Sequence, residues 1–476
     1  MKNTMKKILM TVIFLTVISF GISGQTYVSG GIYSNTTWTQ ANSPYIVTSN
    51  VVVFPGVTLT IEPGVIVKFA DNQSLEIRQG SIIAEGTIND SISFTSTSNS
   101  PITSIWKGIL LNGSIISKFD YINLSYSLGG INGTLPSNDT LFMKHSNVFY
   151  NNQGTAVTGN FLIENSNIFN NSFGISLNSY TLSTINFCNI FNNDYDGVNI
   201  WGPTKIINSH IGCNGQKGIN IEVANCVIEN CCIEQNQYGI NVSSSILITN
   251  CSFLHNKFGV GIGGNNGPSL THCSFQSNGV GLGCVGTGAV IQNNIFDSDT
   301  IGIDIYNPAN TISCNTIQNS INYSVRNLSA NNSNCINNNY WGTTDSATIQ
   351  TLIYDGYDNV SYGLLSFTPF LQLPCPNTGS VPFSAPNGCM IDLSGVETRN
   401  NHCDFNLFPN PSSDFFTISI SERADLVILN SNGQTIKSLK NIDNKSTLNV
   451  SNLANGVYFI KVQTDTGVSV KKFIKQ

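Results

Sequence analysis

The stretch NCSFLHNKFGVGIG, Asn250 to Gly263, holds Cys251, His255 and Lys257 within seven residues, beside a short apolar run. It reads either as a reactive or metal-binding cluster or as one unit of a repeat, and that choice decides the fold. Similar segments start at Ser166 (SNIFNNSFGISL), Cys188, Ser209, Cys231, Cys251, Cys273, Asn293 (NNIFDSDTIGIDI) and Cys314, separated by 22, 21, 22, 20, 22, 20 and 21 positions. Fixed self-similarity of this length marks a repeat architecture. Within each unit apolar residues alternate over three to five positions, and Asn and Gly mark bends between them. That suits short strands with one buried face. No 3.6-residue period appears, and the leucine framework of leucine-rich repeats is absent. The remaining solution stacks each strand on its counterpart one repeat later, about 4.8 Å away. Parallel crossover connections are overwhelmingly right-handed, so the expected fold is all-β: a right-handed parallel β-helix.

Composition agrees with that reading. Only 10% of the 476 residues are charged and 42 are Gly, against roughly 25% charge in an ordinary globular chain. The formal net charge of −6 and the absence of basic clusters speak against a nucleic-acid partner. The start, MKNTMKKILMTVIFLTVISFGISGQ, has three lysines, an apolar run and small residues near Gly24. It reads as a secretory signal peptide over 1–24. No later stretch reaches the roughly 18 apolar residues of a transmembrane helix.

The rungs resemble those of right-handed parallel β-helix repeat proteins, the group that includes the pectate-lyase-like fold. Val51 to Ser96 resembles the opening coils of exported β-helices, and NNNYWGTTD, Asn337 to Asp345, with the run to Leu371 resembles their closing segment. Tyr340, Trp341 and Phe370 are expected to cover the apolar end, which would otherwise be an open edge. The β-helix is therefore placed at 25–374.

A Pro-, Gly- and Asn-rich linker is expected over 375–404. Beyond it, alternating strands with Asn-Gly turns at Asn432–Gly433 and Asn455–Gly456 indicate a small Ig-like β-sandwich over 405–476. Pro409-Asn410-Pro411, the segment from Leu453 to Phe459 and the closing Lys471 to Lys475 resemble the C-terminal sorting domain of the type IX secretion system of Bacteroidetes. The resemblance implies handling by that machinery, a secreted or outer-membrane cell-surface location, and attachment to surface lipopolysaccharide after removal of the tail.

β-helix relatives that are polysaccharide lyases or glycoside hydrolases need clustered carboxylates with a base, or a carboxylate pair about 5 to 9.5 Å apart. Asp194 and Asp196 share one turn. Asp297, Asp299 and Asp304 lie five rungs on, roughly 24 Å away by strand stacking. The rungs beside these groups offer Asn171, Lys217, Asn278 and Asn319 rather than a second carboxylate, and Arg326 is the arginine near the later rungs. Asp194, Asp196 and Lys217 are the catalytic candidates, weighed against a role as turn residues bonded to their own backbone. Asp194 with Asp196, and Asp297 with Asp299, offer two oxygen ligands each, short of the six to eight of a Ca²⁺ site. The histidines at 145, 210, 255, 272 and 402 are scattered, which leaves zinc without a motif. No other cofactor is expected.

Cys188, Cys231, Cys251, Cys273 and Cys314 fall in one column with Ser166, Ser209 and Asn293. Small residues at one inward position form a stack, so these are expected to be buried structural thiols. Cys375, Cys389 and Cys403 lie in the linker, where one disulfide and one leftover thiol are expected. Phe173, Tyr195, Tyr238 and Phe258 precede the glycine of their rungs and are the ligand-binding candidates. They form either a stripe for stacking on sugar rings or a packed seal at a corner. The leading reading is non-catalytic binding of a glycan or another extracellular ligand at the cell surface. The alternatives are a polysaccharide lyase or hydrolase acting on extracellular polysaccharide, and a purely structural or adhesive protein.

Overall fold

The computed structural model describes residues 24–476 apart from 224, 331–333, 377, 380–404 and, after residue 410, residues 411, 421–422, 431–434, 444 and 465–467. The expected leader, all but Gly24, lies outside the described residues, as do most of the expected linker, including Cys389 and Cys403, and the Asn432–Gly433 turn. The chain divides into two compact units, residues 1–389 and 390–476.

In the first unit the alternation becomes a coil of short strands. A three-residue strand such as Asn167–Phe169 precedes a longer one, Phe173–Asn178, and a third, Ser183–Asn186, completes the turn. The first two kinds build a 27-stranded parallel sheet, and the third builds a 13-stranded one. Because side chains alternate across a strand, Ile168 points in while Asn167 and Phe169 face out. Ile168, Ile190, Ile211, Ile233, Phe253, Phe275, Phe296 and Ile317 form one inward column, each 0% exposed. Each such burial is worth about 1.5–3 kcal/mol. The three phenylalanines stack with centroids 4.7 and 4.5 Å apart.

Each coil turns at two corners through residues with positive φ. Asn165 and Asn170, Asn230 and Gln235, and Asn250 and His255 are such pairs, at φ 48–54°. The left-handed region costs an ordinary residue roughly 1–2 kcal/mol, and Asn tolerates it best. The residue after each corner points inward, so His255 forms the corner and Asn256 is the buried residue behind it.

This geometry corrects the cysteine column. Cys188, Cys231, Cys251 and Cys273 are buried as expected, and burial pushes the Cys188 thiol up to about 12. Asn293 and Cys314 are instead corner residues, at φ 58° and 57°. The inward members are Asn294 and Asn315, which accept the backbone N–H of Cys273 and Asn294 respectively. A one-residue slip moves a side chain to the other face. Cys314 is therefore no buried thiol: it is bonded to Cys375, with Cα atoms 5.5 Å apart. The segment after the coils thus returns to them, and the Gly379 N–H donates to the Asn293 carbonyl. The expectation of a disulfide confined to the linker fails for Cys375.

At the C-terminal end of the coils, Trp341 is buried, with Phe367 and Phe370 packed against the core. A short helix, Ser346–Thr351, adds Ile349, its first turn capped by Asp345. Tyr340 contributes backbone bonds to Asn315 and Ile317 rather than core packing. In the second unit, Phe405–Phe408, Phe415–Ile420 and Lys445–Asn449 form one antiparallel sheet. Thr435–Ile442, Ala424–Asn430, Gly456–Gln463 and Val468–Lys475 form another. Phe405, Phe416, Ile428, Ile460 and Phe473 are among the residues of the core of this unit.

Candidate functional site

Of the predicted catalytic trio the structure joins Asp196 and Lys217, and not as acid and base. Asp194 is exposed and accepts the Ser172 hydroxyl at 3.1 Å. Asp196 is 8% exposed, and its Oδ1 accepts the backbone N–H of Lys217 at 3.0 Å. Each carboxylate ties its turn to a neighbouring coil. Asp297 lies at the surface, and although partial burial pushes the other way, bonds from Asn319, Gln318 and Ser298 hold its carboxyl below the usual range. Asp299 is buried inside the coil. The two therefore do not present their oxygens to one shared ligand.

The four predicted aromatics lie along one edge of the outer face made by the longer strands. Phe173 stacks on Tyr195 (4.7 Å) and Tyr238 on Phe258 (4.8 Å), with interplanar angles of 16° and 10°. Stacking turns their ring faces toward one another. Lys217 stands in register with Tyr238, and the Lys257 ammonium lies 6.0 Å from the Phe258 ring centre.

Beside this edge runs a column that sequence reasoning passed over: Ser176, Asn199, Asn220, Asn241, Gly261, Gly283, Asp304 and Arg326 are in register from coil to coil. Asn199 and Asn220 are only 6% exposed although they face outward, and Asn241 donates to Asn220 at 2.9 Å. At Gly261 and Gly283 the floor has no side chain. A Cβ at Gly283 would meet nothing within 4 Å, and one at Gly261 would lie 3.2 Å from the Tyr238 ring. Tyr238 therefore leans over an open hollow two coils long. Beyond it, both Asp304 oxygens are held by Arg326, Nε at 2.7 Å and Nη2 at 2.6 Å. On the opposite rim stands Tyr306, 45% exposed. Burial first, then the Asp304 carboxylate, pushes its phenol up, with a small contribution from Tyr238. The hollow thus offers phenols, amides and a fixed guanidinium. A carboxylate locked by a bidentate arginine is a poor proton carrier, so this arrangement suits binding better than acid–base work.

A second groove lies on the 13-stranded sheet. Glu85, Lys118, Phe119, Asp120, Phe142 and Lys144 line about 340 Å³. Glu85 and Asp120 are in register on neighbouring strands, so adjacent-coil carboxylates do occur, in coils that precede the eight regular rungs. His145 Nδ1 lies 2.9 Å from Asp120 Oδ1 and its ring stacks on Tyr121. Lys144 pairs with Glu164 at 2.9 Å.

Strand stacking also joins His210, Cys232 and Glu234, whose ligand atoms lie within 4.8 Å of one another, the one such group among the described residues. No short motif could announce it, since stacking rather than sequence proximity brings His210 to the other two. His210 Nε2 and Glu234 Oε1 are 2.8 Å apart and buried. Cys232 is disulfide-bonded, which takes its sulfur out of the thiolate state a metal needs.

Comparison with known families assigns three segments. Residues 155–296 match the right handed beta helix region, residues 30–120 the pectate-lyase like beta helix domain, and residues 406–476 the secretion system C-terminal sorting domain. No curated protein matches the chain. No helix among the described residues is long and apolar enough to cross a membrane.

Proposed function

We propose that this right-handed β-helix protein, exported on its type IX sorting tail, binds an extracellular glycan at the cell surface without catalysis. The observation that carries this reading is the glycine-floored hollow at Gly261 and Gly283, set between Asn241 and the Asp304–Arg326 pair and overhung by Tyr238. A concave, partly aromatic site with a few fixed polar groups is the usual form of a small-ligand site. Attachment through surface lipopolysaccharide after loss of the tail belongs to the same reading and is supported by the sorting-domain match.

The test is a glycan array on the exported protein, beside Gly283→Trp, which fills the open floor, and Tyr238→Ala. Binding that falls at least tenfold in both, with folding unchanged by circular dichroism, supports the hollow. Binding that survives the tryptophan would sink it, and an array without any response would favour a purely structural role.

The second reading, a glycan-cleaving enzyme, rests on Glu85 and Asp120 in register beside Lys118. It predicts release of reducing ends or unsaturated products that Glu85→Gln and Asp120→Asn abolish.

A further inference from the structure

At the second corner of each coil the inward residue is an asparagine, seven times in succession: Asn151, Asn171, Asn193, Asn214, Asn236, Asn256 and Asn278. Each Oδ1 after the first accepts the backbone N–H and the Nδ2–H of the asparagine one coil before, as Asn278 does for Asn256. Each Nδ2 also donates to a carbonyl of an earlier coil: Asn256 to Ile233 and Asn278 to Phe253, both at 3.0 Å. The amide is therefore used at both ends.

The eighth member is Asp299. Its Oδ1 accepts from the Asn278 backbone N–H at 2.7 Å and from Asn278 Nδ2 at 2.9 Å, so the side chain is seated as the amides are. Its Oδ2 takes the place of an amide nitrogen, beside Gly281, where a Cβ would lie 2.7 Å away. That oxygen is buried and has no hydrogen-bond partner. Phe275 stands in register with Phe253, so the carbonyl at the corresponding position is that of Phe275. An ionised carboxylate oxygen without a donor is costly in a dry interior, and one proton on the carboxyl removes the charge and turns that oxygen into a donor.

We propose that Asp299 is held as the neutral acid, its Oδ2–H supplying the donor that the amide nitrogen supplies in the preceding coils, and that losing this proton loosens the last coils. The surrounding charges are consistent with it. Asp297, on the same turn, adds a like charge, while Asp304 and Arg326 neutralise each other on the outer face. Cys284 is kept neutral by burial, its thiol pushed up to about 12. On the following coil the polar residues Ser320, Tyr323 and Ser324 carry no charge, and the hydroxyls of Ser320 and Ser324 are buried. Burial raises the Asp299 carboxyl to about 7 against opposing bonds from Asn278. A carboxyl raised above its unfolded value stabilises fully below the unfolded value, and that contribution is lost as pH rises through the folded one. The window here runs from about pH 4 to about pH 7.

The full chain tests this directly. Infrared difference spectra should show a protonated carboxyl band at pH 6 that titrates with a midpoint near 7 and is missing in Asp299→Asn. The thermal midpoint of the wild type should fall by several degrees from pH 5 to pH 8, and Asp299→Asn should lose most of that fall and be the more stable at pH 8. Equal pH slopes for the two proteins, or no protonated band in the wild type at pH 6, would overturn the proposal.

Discussion

The coils from Ser166 to Asn278 and those from Asn294 to Asn339 are built on the same plan but seal opposite corners. In the earlier set the second corner carries the amide ladder, and the first holds Ser or Cys, whose thiols make weak bonds such as Cys251 Sγ to the Thr249 carbonyl. In the later set the ladder moves to the first corner. Asn294 accepts from Cys273, Asn315 from Asn294 and Asn339 from Asn315, and each Nδ2 also donates to an earlier carbonyl. The second corner then passes from Asn278 to Asp299. One amide column per coil is enough to satisfy backbone groups that water cannot reach, and which corner carries it is free to change. The later coils also carry a covalent tie to the segment that follows them, Cys314–Cys375.

Breaking that tie should have the largest effect. The disulfide spans 61 residues, and the chain-entropy account puts the loss for Cys375→Ser at about 4 kcal/mol. Urea unfolding of the oxidised wild type and of the variant should show that difference. A variant as stable as the oxidised protein would show that the later coils need no staple.

Next come the two ladders. Asn236→Ala leaves the Asn214 backbone N–H and Nδ2 without their acceptor and the Ile211 carbonyl without its donor. A cost of about 3 kcal/mol is expected. Asn315→Ala removes the equivalent bonds in the later coils and should cost about the same. A much milder Asn315 variant would mean that the two corners are not equivalent after all.

The smallest effect is expected at the first corner of the earlier coils. Cys251→Ser should cost about 1 kcal/mol or less, because Ser146, Ser166 and Ser209 already fill that position, each bonded to the carbonyl two residues before it. Thiol labelling of the native protein at pH 8 should leave Cys188, Cys231 and Cys251 unreacted until denaturant is added, since all three are fully buried with raised thiols. Rapid native labelling would contradict the column.

The period and the alternation made the coil legible, and the opening stretch belongs to it: Cys251 lies in the column and Val260 and Ile262 lie in the core. His255 and Lys257 stay exposed, and the chemically suggestive part of the stretch proves to be Gly261, which leaves the hollow open. The slip at Asn293 and Cys314 arose because Asn occupies both the corner and the inward position of that rung, Asn293 and Asn294, so residue type could not fix the register. The groove at Glu85 and Asp120 lay in coils whose lengths obscure the repeat: the two residues are in register across 35 positions.

The sequence by itself determined the strand, the corner and the inward or outward sense of most residues, because those follow from local backbone preference and a two-residue period. Only the tertiary structure decided which outward residues share a face. Coil-to-coil register accumulates every variation in loop length, so the neighbours of Gly261, of Asp120 and of Cys314 are set by stacking rather than by proximity along the chain.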